Sequence, residues 1–427
     1  MQYKKKTLKN GLRVICVPMK DTNTVTVLSL IEAGSKYETK NKNGISHFFE
    51  HMCFKGTIKR PTSMDINREL DGLGAQSNAF TSEEFTGYYA KAEARHLNQI
   101  VDIISDMYQN PTFPEPEMQK EKGVVIQEIS MYEDLPQRKV GSLFMNLVYG
   151  DQPAGWTVLG PRENIQKMKR LDFINYRRKH YVAEATTLIV AGKCEPAQVF
   201  KLAEKAFKDI SRDKKSSKKK VKEVQKEPQM MIEQKKTDQT HLVLGFRAFD
   251  IFDKRSTSIE VLSGILSSGM SSRLFHRLRE EMGVCYYVRS SYDEYTDHGY
   301  LAISTGVDRV RVQEVIKVLL EECARLRDEL VSPEELRKTK DYMIGNLYLR
   351  LETSDSLAEY FGIQEILKGQ MKTPEELKKA IEKVTAQDIQ TVAKLIFKDE
   401  KLNLAAIGQI KNQNELKKIL RLPSVKK

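Results

Sequence analysis

Apolar and polar positions first alternate and then recur with helical spacing, in two similar successions along the chain. Residues 3–8 and 12–17 read as short strands joined at Asn10-Gly11, the strongest local signal for a hairpin. The β-branched run Thr24–Ile31 predicts a buried strand. A short helix follows the Asn43-Gly44 turn, and Ser63 is a good N-cap for the next one. Residues 74–81 and 84–92 read as adjacent strands; the first is short, small and polar, which suits an exposed edge. Helical periodicity then predicts helices near 96–109, 115–134, 137–148 and 171–180, a strand at 186–191 and an amphipathic helix at 197–208.

After a lysine-rich stretch the succession starts again. Residues 237–245 echo 22–30, Glu335 repeats Glu117 at an offset of 218, and 404–408 repeats 188–192 at an offset of 216. Helices are expected near 310–325, 333–351, 354–368, 374–383 and 385–396. The pattern predicts an α+β protein of two homologous tandem domains, each an antiparallel β-sheet packed with α-helices. Their expected bounds are 1–210 and 229–427, with a flexible basic linker over 211–228.

Composition narrows the partners. No run of eighteen apolar residues exists, so membrane insertion is not expected. The start of the chain has lysines but no apolar signal core, which predicts a cytoplasmic protein. Five scattered cysteines without Cys-x-x-Cys spacing fit reduced thiols. The formal charge of +12 raises nucleic acid as a partner, but six lysines fall within 214–222. Without them +6 remains, mixed with acids along helical faces, so no nucleic-acid partner is expected.

Candidate chemistry lies in Ser46-His47-Phe48-Phe49-Glu50-His51-Met52. On a helix His47, Glu50 and His51 stand at i, i+3 and i+4 and share one face. Two imidazoles one turn apart can grip one metal ion, and the carboxylate beside them can handle the proton of a water. Phe48, Phe49 and Met52 would bury the other sides, making an unliganded polar trio costly. His-x-x-Glu-His is the inverzincin order, and a catalytic zinc needs a third protein ligand. Glu121 and Glu128, two helical turns apart on one stripe, are the candidates: one could complete the site and the other orient a ligand.

Taken with Lys55-Gly56-Thr57, with residues 74–81 and with the Glu121/Glu128 pair, this helix resembles the pitrilysin/insulysin superfamily of zinc metallopeptidases. At this length the resemblance is to the processing-peptidase-like branch, and it extends along nearly the whole chain. It implies Zn2+ held by His47, His51 and Glu128, Glu50 as the base, and Glu121 as a supporting carboxylate. It assigns the edge at Gln76, Ser77, Asn78, Ala79, Phe80 and Thr81 to substrate, although Gly74-Ala75 departs from the commoner Gly-Gly start. In the second half it implies that Arg279 and Tyr286 reach the substrate and that the tyrosine serves the oxyanion, with Tyr287 an immediate rival. The implied activity is that of a zinc-dependent metalloendopeptidase acting on short or unfolded peptides in an enclosed chamber. Since one chain carries both residue sets, a homodimer is expected.

The duplication supplies an internal control. At the offset of 218, Glu121 and Glu128 fall on Thr339 and Asn346, and 261–269 has no histidine or glutamate ligand pair. A merely structural trio should recur in the second copy, and it does not. The competing class is a non-catalytic peptide-holding or scaffold subunit, whose sign would be loss of Glu50 or of a ligand; none is lost here.

Overall fold

The computed structural model of the protein describes residues 2–424. They form two compact units. One contains the chain up to Ser130, Trp156–Lys219 and Tyr348–Thr373; the other contains Met131–Gly155, Lys220–Leu347 and the chain from Pro374 onward.

The first unit is built on strands β1 (Lys4–Thr7), β2 (Arg13–Pro18), β3 (Thr24–Ile31), β4 (Gln76–Thr81), β5 (Thr86–Glu93) and β6 (Thr186–Gly192). Their order is β1-β2-β6-β3-β5-β4, which leaves β4 at an edge. The second unit holds β7 (Gln229–Gln234), β8 (Thr240–Ala248), β9 (Cys285–Glu294), β10 (Gly299–Val307) and β11 (Leu402–Gly408), in the order β7-β11-β8-β10-β9. Without β1 the two orders correspond strand for strand, so the repeat seen in sequence is a repeat of topology. The sheets are not wholly antiparallel as expected: β2 runs parallel to β6, and β7 to β11. The last strand of each copy returns after a long run of helices, and such a crossover permits parallel pairing where a hairpin does not.

Helix α1 (Ile45–Cys53) buries Phe48, Phe49 and Met52 completely, with Phe49 packed against Phe113 and Tyr181. Helix α2 (Ser63–Gly72) starts one residue after its cap, which is Thr62 rather than Ser63. Thr62 accepts from the Asp65 N–H, and the Asp65 carboxylate accepts from the Thr62 N–H. Helix α3 (Leu97–Gln109) lies against β3 and β5, and α4 (Glu115–Asp134) and α5 (Pro136–Tyr149) follow.

The units do not follow the expected division at 211–228 throughout. Val140, Phe144 and Val148 of α5 pack on Val243, Ala302, Ala405 and Ile407 of the second sheet. In return, the helix Ser354–Lys368 lies over β3 and β6 of the first. There a Cβ on Gly362 would stand 2.7 Å from Leu30 Cδ1, and the buried Glu365 carboxylate pairs with Lys5 at 2.6 Å. Periodicity shows which face of a helix is apolar but not which sheet it will cover.

Most of 211–228 is exposed, as expected of a solvated linker, but Lys215 and Lys218 are engaged. Lys215 pairs with Glu32 at 2.7 Å, and Lys218 pairs at 3.0 Å with the buried Glu84, which also takes the fully buried Lys36 at 2.9 Å. Further on, the N–H of Val221 donates to Asp297 and that of Lys222 to Gln152, each at 2.9 Å. Two ammonium groups of the lysine run thus meet carboxylates, Glu32 and Glu84, in connections of the first unit. Among the described residues no helix is long and apolar enough to cross a membrane, and all five cysteines are free and buried.

Candidate metal centre

Helix α1 is capped by Glu38, which sequence reasoning missed. Gly44, its N-cap, sits at φ 99° and offers no side-chain acceptor. A Cβ there would lie 2.5 Å from the Leu159 carbonyl oxygen, so only glycine fits. The cap comes instead from the buried Glu38. Its carboxylate accepts from the N–H groups of Gly44 at 2.8 Å and Ser46 at 2.7 Å and from Asn43 Nδ2 at 2.8 Å. Burial pushes the Glu38 carboxyl up to about 7 despite these donors. The only sequence signal was an acid shortly upstream of a helix start.

One turn of α1 brings the two imidazoles together, with Nε2 of His47 and of His51 3.2 Å apart. From α4, Glu128 places Oε2 at 3.5 Å from each of them. Among the described residues this is the one group of three histidine, cysteine or acidic side chains disposed to hold a metal ion. Ligand atoms about 2.0–2.1 Å from a tetrahedral zinc stand roughly 3.3–3.4 Å apart, so the three atoms already form one face of such a shell. The donor set, two imidazoles and a carboxylate, fits zinc and leaves the fourth vertex open.

Glu121, also on α4, is disposed differently. Its Oε1 accepts from His51 Nδ1 at 2.9 Å and its Oε2 takes Lys55 Nζ at 2.6 Å. That bond puts the proton of His51 on Nδ1 and leaves Nε2 as a lone pair toward Glu128 and His47. Burial would raise the Glu121 carboxyl, but His51 and Lys55 outweigh it and hold the group below the ordinary glutamate range. Which carboxylate orients His51 and which completes the trio is thus a matter of partners: Glu121 is already doubly engaged. Burial opposes charge on His51, yet the Glu121 hydrogen bond and the surrounding carboxylates raise its pKa. His47 has only burial and the His51 charge, which push it down to about 3, and it stays neutral. Its Nδ1 is buried without a partner among the described residues.

Glu50 lies on the same face of α1, and its Oε2 accepts from Thr81 Oγ1 at 2.7 Å. Burial raises its carboxyl above the ordinary range, and the Glu128 charge adds to this. Thr81 ends β4, whose residues Gln76, Ser77 and Asn78 are exposed and whose Ala79, Phe80 and Thr81 are half-buried. All of these residues belong to the first unit.

Arg279 and Tyr286 belong to the second unit. Arg279 stands in a π-helical turn, His276–Glu281, and Tyr286 is the second residue of the edge strand β9. Arg279 Nη1 donates to the Tyr286 carbonyl at 3.1 Å, and the guanidinium lies over the Tyr286 ring. Val288 faces Thr305 and Cys285 faces Val307, so Tyr286 and Tyr287 together oppose Gly306 in a bulge. The bulge separates their fates. Tyr287 hydrogen-bonds His241 Nδ1 at 3.0 Å, whereas Tyr286 is 76% exposed. In the second copy Thr339 and Asn346 donate to carbonyls of their own helix, Glu335 and Tyr342, and build no ligand set.

Residues 13–162 match the sequence profile of insulinase, peptidase family M16, and residues 167–343 match that of the peptidase M16 inactive domain. An uncharacterized zinc protease of Bacillus subtilis is 34% identical over 93% of this chain and 96% of its own length. An uncharacterized zinc protease of Rickettsia bellii is 33% identical over 91% of this chain and 94% of its own. The crystal structure of a protease from Helicobacter pylori superposes with a TM-score of 0.88 at 23% identity, covering 95% of this chain and 99% of that one. A Pseudomonas fluorescens structure described as a peptidase M16 inactive domain gives 0.89 at 15% identity, covering 96% and 99%.

Proposed function

From the premise that this chain belongs to the M16, or insulinase, family of the pitrilysin superfamily, we propose that it is an active zinc-dependent metalloendopeptidase. The observation that carries the reading is the trio His47, His51 and Glu128, whose three donor atoms lie at zinc-ligand spacing beside a carboxylate, Glu50, that is not part of the trio.

His47, His51 and Glu128 would hold the zinc, and Glu121 would fix His51 for that purpose. When bound, zinc supplies a Lewis acid that acidifies water and polarises a peptide carbonyl. Glu50 takes the proton of the attacking water and hands it to the leaving amine, a transfer that suits a carboxyl raised by burial. A peptide adds to the edge of β4, where backbone hydrogen bonds hold it with little demand on its sequence. Tyr286 is the better oxyanion donor of the two tyrosines, because the Tyr287 hydroxyl is engaged by His241. Arg279 stacks on Tyr286 and positions it. A chain that carries both residue sets suits a homodimer, and short or unfolded peptides are the expected substrates.

A second reading, a non-catalytic peptide-holding subunit, is favoured by the inactive-domain match. That match, however, covers 167–343, the part with Thr339, and leaves the ligand set outside it. The test is cleavage of a mixed quenched-peptide library by the wild type and Glu50→Gln, with bound zinc measured in both. Equal zinc with cleavage lost only in the variant supports the peptidase. Zinc without cleavage in the wild type favours the holding subunit, and no zinc in either sinks the site.

A further inference from the structure

The strand at which a peptide would dock also holds the base. Thr81 is the last residue of β4, and its hydroxyl donates to Glu50 Oε2 at 2.7 Å. No other hydrogen bond to Glu50 occurs among the described residues, so the orientation of this carboxylate depends on one neighbour. Glu50 Oε1 is left to receive a proton. A half-buried carboxylate beside Glu128 would otherwise have rotamers that turn it away from the ligand face.

Thr81 is itself held closely. It pairs with Thr86, whose hydroxyl donates to the Ala33 carbonyl at 2.9 Å. The turn that follows is closed by Ser82: its N–H donates to the Phe85 carbonyl at 2.9 Å, and its Oγ accepts from the Phe85 N–H at 3.1 Å. That turn lies directly on Gly34, where a Cβ would stand 2.2 Å from the Ser82 carbonyl oxygen. The Lys36 N–H donates to the Glu83 carbonyl at 2.8 Å, and Glu84 is clamped by the Lys36 and Lys218 ammonium groups. These contacts fix the backbone that carries the Thr81 hydroxyl. A single hydroxyl on so constrained a backbone is what orientation of a base requires.

We propose that Thr81 is a positioning residue for the base, aiming Glu50 from the strand that receives the peptide. The proposal rests on the peptidase reading and deepens it: docking and base orientation share one element. Thr81→Val keeps the shape of the side chain and removes the donor; Thr81→Ser keeps the donor. In steady-state kinetics with zinc content measured, Thr81→Val should lower kcat about 10- to 100-fold while KM and bound zinc stay at wild-type values. Thr81→Ser should recover most of the loss. In the metal-free protein, Thr81→Val and Glu50→Ala should shift the unfolding midpoint non-additively, which reads the hydrogen bond without activity.

A wild-type kcat in Thr81→Val, a Thr81→Ser variant as slow as Thr81→Val, an effect on KM alone, or additive midpoints would each overturn the proposal. A wild type that binds zinc and cleaves nothing fails the peptidase reading itself, a result that none of those outcomes resembles.

Discussion

At the scale of single residues, the centre is organised by who is already occupied. Glu121 and Glu128 sit on one stripe of α4, and their spacing alone does not rank them. Lys55 and His51 decide it by engaging both oxygens of Glu121. Glu121→Gln should therefore weaken zinc binding without abolishing it, by about 10- to 100-fold. Lys55→Met should act in the same direction and less, because it loosens Glu121 but leaves its bond to His51. Competition against a chromophoric chelator measures both, and unchanged affinity in Glu121→Gln would remove its supporting role. The i, i+4 spacing of His47 and His51 was legible in sequence, since helical geometry fixes it. The Lys55 contact was not, because it depends on where a second helix lands.

Elements show a different limit. Glu38 caps α1 from outside the helix, and Lys36 is buried against Glu84 from a turn far away in sequence. Local patterns carry neither relation, and among the six lysines in 214–222, most of them exposed, none stands out in sequence as a partner of Glu84. Burial alone would raise the Glu84 carboxyl, but Lys36 and Lys218 outweigh it and hold it below its ordinary 4.5. A depressed carboxyl supports folding fully above that ordinary value and loses its contribution as pH falls through the depressed one. Glu84→Gln should accordingly be less stable than the wild type at pH 7, by about 3 kcal/mol for a buried pair broken on one side. The gap should close in acid. Urea unfolding of both proteins from pH 7 down to pH 3 tests the sign, and a gap that stays constant would count against the pairing.

For the whole molecule, the repeat is the feature most plainly written in the sequence, and the exchange of helices the least. Two copies with one strand order follow from periodicity at an offset near 218. Yet each sheet is completed by a helix from the other sequence half. Residues 229–427 alone would lack α5 and bare Val243, Ala302, Ala405 and Ile407, which α5 otherwise covers. Residues 1–228 alone would lack the helix Ser354–Lys368 and leave Glu365's partners Lys5 and Arg13 without it. A bared apolar sheet face promotes association. Expressed singly, 229–427 should aggregate or unfold without cooperativity; expressed together with 1–228, it should be recovered as a soluble pair that unfolds in one transition. Size-exclusion chromatography and thermal unfolding distinguish these outcomes. A monomeric, cooperatively unfolding 229–427 would mean that the second sheet does not need α5. The exchanged helices would then be a packing detail rather than a condition of folding.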